Sequence, residues 1–136
     1  MREILFRAKE TFNSEWVEGY YEFGYSAETE EPTHYMWVLN HTEKYGDMFI
    51  VIPETVGQYT GLTDKNGKKI FEGDIVNVNT KPDSLEHGYK SNHLIVRFDE
   101  YHRFIASGRL EYPLCNHYEW EIIGNIHDNP ELLKGE

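Results

Sequence analysis

An Asn-Gly pair at positions 66 and 67 constrains the fold of this 136-residue chain more than any other short segment. Both residue types accept the positive φ angles that the two central positions of a type I′ turn require, and the pair is the strongest short-range signal for a β-hairpin. A second turn is predicted at Glu72-Gly73-Asp74, and it leads into residues 75–78, in which Val76 and Val78 share a face. The sequence therefore predicts a hairpin with a type I′ turn inside the stretch 58–76.

Alternation of side-chain character predicts two strands near the start of the chain. Residues 4–9 and 16–25 follow a period of two, which places alternate side chains on opposite faces of a sheet. Gly19 lies within the longer segment and is predicted to mark a bulge. One face of that strand collects Val17, Tyr21, Phe23 and Tyr25, and the other collects Trp16, Glu18, Tyr20 and Glu22.

Shorter segments complete a mainly β pattern. Asn129 and Pro130 are predicted to cap and begin a short C-terminal helical turn. About eight short strands with regular turns favour a small antiparallel β barrel-like domain, SH3-like or a complex barrel, or else a sandwich. The further strands are predicted at 35–39, 47–52, 94–98, 103–106 and 118–124, and polar loops at 27–33 and 81–92.

Chain length predicts a single domain over residues 1–136. Ten tyrosines, seven phenylalanines and three tryptophans supply much of the apolar area that a folded core needs. The polar loops also leave open a two-lobed arrangement, with lobes at 1–55 and 56–136 and a join near residues 54–56.

The net charge of −11 disfavours binding to duplex nucleic acid or to an anionic membrane, because Lys and Arg supply that affinity. High solubility, a basic partner and mimicry of nucleic acid all fit this charge.

The single cysteine, Cys115, excludes an intramolecular disulfide and favours a reducing compartment. No signal peptide is visible, and no apolar run approaches the roughly 20 residues of a membrane helix, so we expect a cytoplasmic protein.

Cys115 and nearby histidines are the main candidates for chemistry. Cys115 and His117 could supply two metal ligands, but a structural zinc site takes four, usually with paired cysteines. Cys115 with His117 or His102 could form a nucleophile and a base, but a third orienting group is not evident. A lone cysteine is more often a small core residue. The sequence therefore assigns no catalytic, cofactor-binding or metal-binding residue.

Three other features could indicate a binding site, but for each of them an ordinary structural role is preferred. The segment from Asp64 to Gly67 briefly resembles a calcium loop, but the later ligand positions do not follow. Lys65, Lys68 and Lys69 could contact phosphate, although a charged, solvated turn that protects strand edges is favoured. The tyrosine-rich stretch 20–25 could stack bases, but basic residues are not interleaved with it, so sheet packing is preferred.

Three blocks of sequence, at residues 2–8, 58–76 and 123–133, resemble the YopX-like family of phage and prophage proteins. Residues 2–8 look like the opening strand of that family, and residues 123–133 look like its closing block, GNI-x-x-NPELL. The central block 58–76 matches the pattern QYTGL-x-D-x-NG-x-x-I-x-EGDIV at every fixed position. The resemblance spans nearly the whole chain, and the regions 11–55 and 80–118 are not diagnostic.

The resemblance implies a phage or prophage protein, chiefly of Gram-positive hosts, in a family of unknown function without catalytic residues to carry over. It also implies a mostly β fold with barrel-like character, and it favours self-assembly. With many aromatic residues and no catalytic constellation, we expect a non-enzymatic accessory protein of the host cytoplasm. Such a protein would bind other proteins, from phage or host, and itself as a homo-oligomer. The alternative is a nucleic-acid-related protein, either a single-strand binder or an acidic mimic of DNA.

Overall fold

The computed structural model describes residues 4–26, 30–38, 47–79, 93–101, 103–108, 111–116 and 118–133. Strands dominate these residues, and the two short helical segments are 3-10 turns at Pro53–Thr55 and Pro130–Leu133. The predicted mainly β class and the short C-terminal helical turn are therefore confirmed. The strands are β1 (Phe6–Lys9), β2 (Trp16–Tyr25), β3 (Pro32–Val38), β4 (Asp47–Ile50), β5 (Gly57–Thr63), β6 (Lys69–Phe71), β7 (Asp74–Asn79), β8 (Leu94–Phe98), β9 (Phe104–Ser107), β10 (Glu111–Pro113) and β11 (Glu119–Asn125).

The chain divides into two compact units, Met1–Tyr59 and Thr60–Glu136, and β5 runs across the boundary. This boundary lies a few residues beyond the join expected near 54–56. Hydrogen-bonded neighbours follow the orders β4-β3-β2-β1-β5-β6 and β10-β9-β8-β7-β11. Whether the two units fold as one domain stays a prediction.

In the first unit, successive antiparallel pairings join β1 to β2, β2 to β3 and β3 to β4. The predicted alternation in β2 places Val17 and Tyr21 on the face that packs into the core. Burial of these apolar side chains is the main favourable contribution to folding. The centre of this core is Ala8, Met36 and Val51, against which Phe6, Val17, Tyr21, Val38, Phe49 and Val56 pack.

Gly19 does not mark a bulge, so that prediction is wrong. It pairs with Phe6 in the regular register of β1 and β2. A Cβ atom at position 19 would lie 2.0 Å from the carbonyl oxygen of Trp37. Glycine is needed here because the backbone of the neighbouring β3 comes closer than any side chain allows.

In the second unit, the five strands β7 to β11 form an antiparallel sheet with a buried apolar face. The register between β11 and β7 shifts between Ile122 and Gly124, which is where the described chain does carry a bulge-like irregularity. Strand β10 was not predicted from sequence, and the predicted loop at 81–92 lies outside the described residues. The buried core is Ile70, Val76, Val78, Leu94, Val96, Ala106, Tyr112 and Trp120.

The hairpin between β5 and β6 forms where it was predicted, but the turn is not type I′. Gly67 has φ +82°, whereas Asn66 is not among the described non-glycine residues with positive φ. The backbone N–H of Gly67 donates to the carbonyl of Asp64 at 3.0 Å, and the N–H of Asp64 donates to the carbonyl of Lys68 at 2.8 Å. This is a type I turn followed by a left-handed glycine, the usual three-residue hairpin loop.

The predicted barrel-like closure is not seen, because each described sheet has an open strand order. One isolated antiparallel bridge, between Glu10 and Val51, brings the residue after β4 beside the end of β1. Pairing of the first and last strands is non-local, so a count of short strands could not decide it. Among the residues that the structure describes, no helix has the length and apolar character needed to span a membrane.

Candidate functional site

Cys115, the candidate metal ligand and nucleophile, follows strand β10 and lies beside Trp120. It is half-buried, and its backbone carbonyl accepts a hydrogen bond of 2.9 Å from the indole Nε1 of Trp120. Both proposed histidine partners, His102 and His117, lie outside the described residues. Within the described ranges, no three His, Cys, Asp or Glu side chains are grouped so that they could hold a metal ion.

Asp64 is buried, and its carboxylate accepts hydrogen bonds from three backbone N–H groups. Its Oδ1 accepts hydrogen bonds from the backbone N–H groups of Asn66 and Lys68, both at 2.9 Å, and its Oδ2 accepts one from Ile122 at 3.1 Å. Burial is the largest single influence and raises the pKa of Asp64, but the three N–H donors and Lys68 together outweigh it. The pKa of Asp64 therefore lies below its ordinary value, and its carboxylate holds the turn together.

The lysines at the hairpin tip are an exposed, ion-paired surface. Lys65 Nζ lies 3.0 Å from Glu121 Oε2, and this hydrogen bond with its charge attraction raises the pKa of Lys65. Lys68 and Lys69 are exposed, and Lys68 acts on Asp64 through its charge. Carboxylates balance the cluster locally, which agrees with the interpretation as a solvated turn.

A polar cavity of about 300 Å³ lies at the turn between β8 and β9. Arg97 is ion-paired with Glu111 at 3.0 Å, and Arg103 with Asp99 at 3.0 Å. The Arg103 backbone N–H and side chain, with the N–H of Tyr101, hold the pKa of Asp99 below its usual range. The guanidinium groups are engaged by neighbouring carboxylates, so the geometry is that of a surface turn. The cavity is lined by Arg97, Asp99, Glu100, Tyr101, Arg103 and Glu111.

The outer side of the β2–β3–β4 sheet carries a group of exposed apolar side chains, which we call the aromatic face. Its residues share one side because directly paired positions of antiparallel strands point the same way. The opposite side of these strands carries the buried Met36, and the buried Val51 follows β4. The aromatic face consists of two cross-strand rows, Tyr20–Trp37–Met48 and Glu22–Tyr35–Ile50.

Exposure of these side chains is unusual for their size and apolarity. Tyr20 is 52% exposed, Ile50 49%, Met48 47% and Trp37 39%. Single exposed apolar residues are common on protein surfaces, but contiguous ones rimmed by polar groups mark binding surfaces. Three adjacent strands supply this patch, so it is contiguous.

Polar and charged groups border the aromatic face. The indole Nε1 of Trp37 donates a 2.8 Å hydrogen bond to Glu22 Oε2. On the neighbouring β1, the guanidinium carbon of Arg7 lies 4.7 Å from the Trp16 ring centre, and Lys9 Nζ lies 5.5 Å from it. Arg7 is paired across the strands with Glu18, so both charge signs occur at this border.

Sequence alternation found only part of this surface. It correctly placed Tyr20 and Glu22 on the same side of β2, but it did not connect them to Trp37 or Met48. The pairing register of β3 and β4 makes that connection, and a single strand pattern does not contain it. The cations beside Trp16 were missed for the same reason, because they come from β1.

Comparisons with known proteins give a family and a fold relative. The family model described as YopX protein matches residues 5–134. A crystal structure of protein EF1440 from Enterococcus faecalis is similar, with 25% sequence identity and a TM-score of 0.60. The likeness covers 98% of this chain and 100% of that one. A search among curated proteins finds no match.

Proposed function

We propose, from the premise that this chain belongs to the YopX protein family, that it is a non-enzymatic phage or prophage accessory protein. It acts through protein–protein binding as a homo-oligomer in the cytoplasm of the bacterial host. The observation that carries the proposal is the aromatic face, where Tyr20, Trp37, Met48 and Ile50 leave apolar area in water. Removing that area from water on association is favourable.

The composition of the aromatic face supports a protein partner. Tyr, Trp and Met are enriched in the buried centres of protein interfaces, whereas Lys and Glu are depleted there. Five of the six side chains in the two rows are aromatic or aliphatic, and Glu22 is the one carboxylate. Charged groups lie at the border, as in an interface with a polar rim.

The titratable groups support a non-enzymatic role. Catalytic acids and bases usually show shifted pKa values in a cleft. The pKa values of Asp64, Lys65 and Asp99 are shifted, and each shift is explained by a turn or a surface ion pair. These groups stabilise local structure.

Light scattering coupled to size exclusion tests the proposal over a wide range of protein concentration. We expect a mass that is a multiple of 16.1 kDa and that falls on dilution. A mass of one chain at every concentration would contradict the homo-oligomer. A matched sample at high salt separates specific association from retention on the column matrix.

One observation favours the nucleic-acid alternative: Arg7 and Lys9 lie against Trp16 on the same side of the sheet as Tyr20. Aromatic platforms with cations bind single strands through stacking and phosphate contacts. A labelled oligonucleotide titrated at several salt concentrations tests this. Binding that weakens steeply with salt would support the single-strand binder. An acidic mimic would instead leave the oligonucleotide free and compete with DNA for a basic DNA-binding protein.

A further inference from the structure

The two rows of the aromatic face carry the same kind of side chain on the same strand. A two-fold rotation can therefore lay one row over the other. Across the three strands, one row presents Tyr20, then Trp37, then Met48. The other row presents Glu22, then Tyr35, then Ile50. Each row therefore has a polar-ended side chain on β2, an aromatic ring on β3 and an aliphatic chain on the edge strand β4.

We infer that the aromatic face binds the aromatic face of a second copy of this chain through a two-fold axis that runs across the strands between the two rows. This inference rests on the proposed function, since it names the partner of that surface. Most soluble homo-oligomers use such isologous contacts, in which one patch meets itself.

The two-fold exchange matches apolar groups with apolar groups. Rotation about this axis lays the Trp37 row of one copy over the Tyr35 row of the other. Trp37 then faces Tyr35 of the second copy, and Met48 faces Ile50. Aromatic pairs and buried aliphatic chains of this kind carry much of the energy of protein interfaces.

The same exchange avoids meeting of like charges. The one ionised group in the two rows, Glu22, faces Tyr20 of the second copy and not another carboxylate. The phenol O–H can donate to Glu22, which already accepts the Trp37 indole N–H of its own chain at 2.8 Å and has further lone pairs. Each axis generates this contact twice, so the interface holds its carboxylates with hydrogen-bond donors.

Space beside the two rows also suits a second copy. The next row on the same side is Gly24 with Thr33, and the row on the opposite flank is Glu18 with Arg7. The exchange places Glu18 of one copy over Gly24 of the other. A Cβ atom at Gly24 would meet nothing within 4 Å, so the long side chains of the second copy find open space there.

The charge on this surface favours a second copy over the other occupants. A nucleic acid would bring phosphates against Glu18 and Glu22, and a strongly basic protein would meet Arg7 and Lys9. A second copy carries both acidic and basic side chains at fixed positions on this surface. Because each copy carries a net charge of −11, salt should screen the overall repulsion and strengthen the association.

Met48→Lys tests the interface, with Tyr25→Lys as its matched control. Met48 is 47% exposed within the aromatic face, and Tyr25 is 71% exposed at the end of β2, where alternation puts it on the side opposite both rows. Each variant adds one cation in place of an exposed apolar side chain. We expect Met48→Lys to raise the dimer dissociation constant at least about 100-fold in sedimentation equilibrium, since it places a cation against the apolar Ile50 of the other copy twice in each dimer. Tyr25→Lys should leave the constant within about threefold, as surface changes away from a contact do.

The outcomes separate this inference from the proposed function. An oligomer that both variants leave unchanged would overturn the aromatic face as the interface while the homo-oligomer stands. A wild-type chain that is monomeric at all concentrations would overturn both. Association that weakens as NaCl rises would also overturn the inference, because it would indicate an interface held by ion pairs. Urea unfolding of Met48→Lys checks that the variant is folded.

Discussion

The carboxylate of Asp64 accepts a hydrogen bond from the backbone N–H of Ile122, which lies 58 residues further along the chain. The same side chain closes the turn between β5 and β6 through Asn66 and Lys68. A second link runs beside it, since the N–H of Lys65 donates to the carbonyl of Trp120 at 2.8 Å. One buried carboxylate thus ties a local turn to the bulged strand β11.

Replacing Asp64 with alanine should destabilise the protein by about 2–4 kcal/mol, because three backbone N–H groups would lose their acceptor in a buried place. Asp64→Asn should cost less, since the amide oxygen can still accept from Asn66 and Lys68, and only the N–H of Ile122 loses its acceptor. Urea unfolding of both variants measures the loss. A loss below about 0.5 kcal/mol for the alanine variant would show that water replaces the carboxylate without penalty.

The lowered pKa of Asp64 also predicts how stability depends on pH. A carboxyl whose pKa is lower in the folded state stabilises the fold above the unfolded pKa, which is about 3.9 for Asp. That contribution is lost as pH falls from there through the folded pKa. The stability difference between wild type and Asp64→Asn should therefore be constant near neutral pH and shrink in acid. A difference that does not change with pH would contradict the ionised carboxylate.

Two glycines on β2 give a matched pair of substitutions. Gly19→Ala would bring its Cβ to 2.0 Å from the carbonyl oxygen of Trp37, so β2 and β3 must separate. We expect a loss of about 2 kcal/mol or more, as for other changes that overpack a buried site. Gly24→Ala meets nothing within 4 Å and should change stability by less than about 0.5 kcal/mol. Equal effects in thermal or urea unfolding would show that the close approach relaxes freely.

The elements that depend on residues close together in sequence were the most predictable part of the fold. The Asn-Gly pair located the β5–β6 turn, and alternation located β2, because both depend on residues close in sequence. The prediction of a type I′ turn was wrong because the Asp64 side chain accepts hydrogen bonds from the N–H groups of Asn66 and Lys68 and so supports a type I turn. The prediction for Gly19 was wrong because the need for glycine at this position comes from the Trp37 carbonyl, which lies on β3.

The candidate interface was less predictable than the fold. Trp37 and Met48 join Tyr20 only through the registers of β3 and β4, which are set by pairings between segments far apart in sequence. Their exposure also depends on what covers each side of the sheet. A pattern of alternation identifies two sides of a strand but does not say which side stays in water.

The turn type makes a sharp prediction about Asn66 and Gly67. In a type I′ turn both residues need positive φ, and alanine at either position would cost about 1–2 kcal/mol. In the turn observed here Gly67 alone has positive φ, at +82°. Gly67→Ala should therefore lose about 1–2 kcal/mol, Gly67→Asn less, and Asn66→Ala less than about 0.5 kcal/mol. Since a Cβ at position 67 would meet nothing within 4 Å, the cost of Gly67→Ala is purely that of the backbone. Similar losses for Asn66→Ala and Gly67→Ala in urea unfolding would restore the type I′ turn.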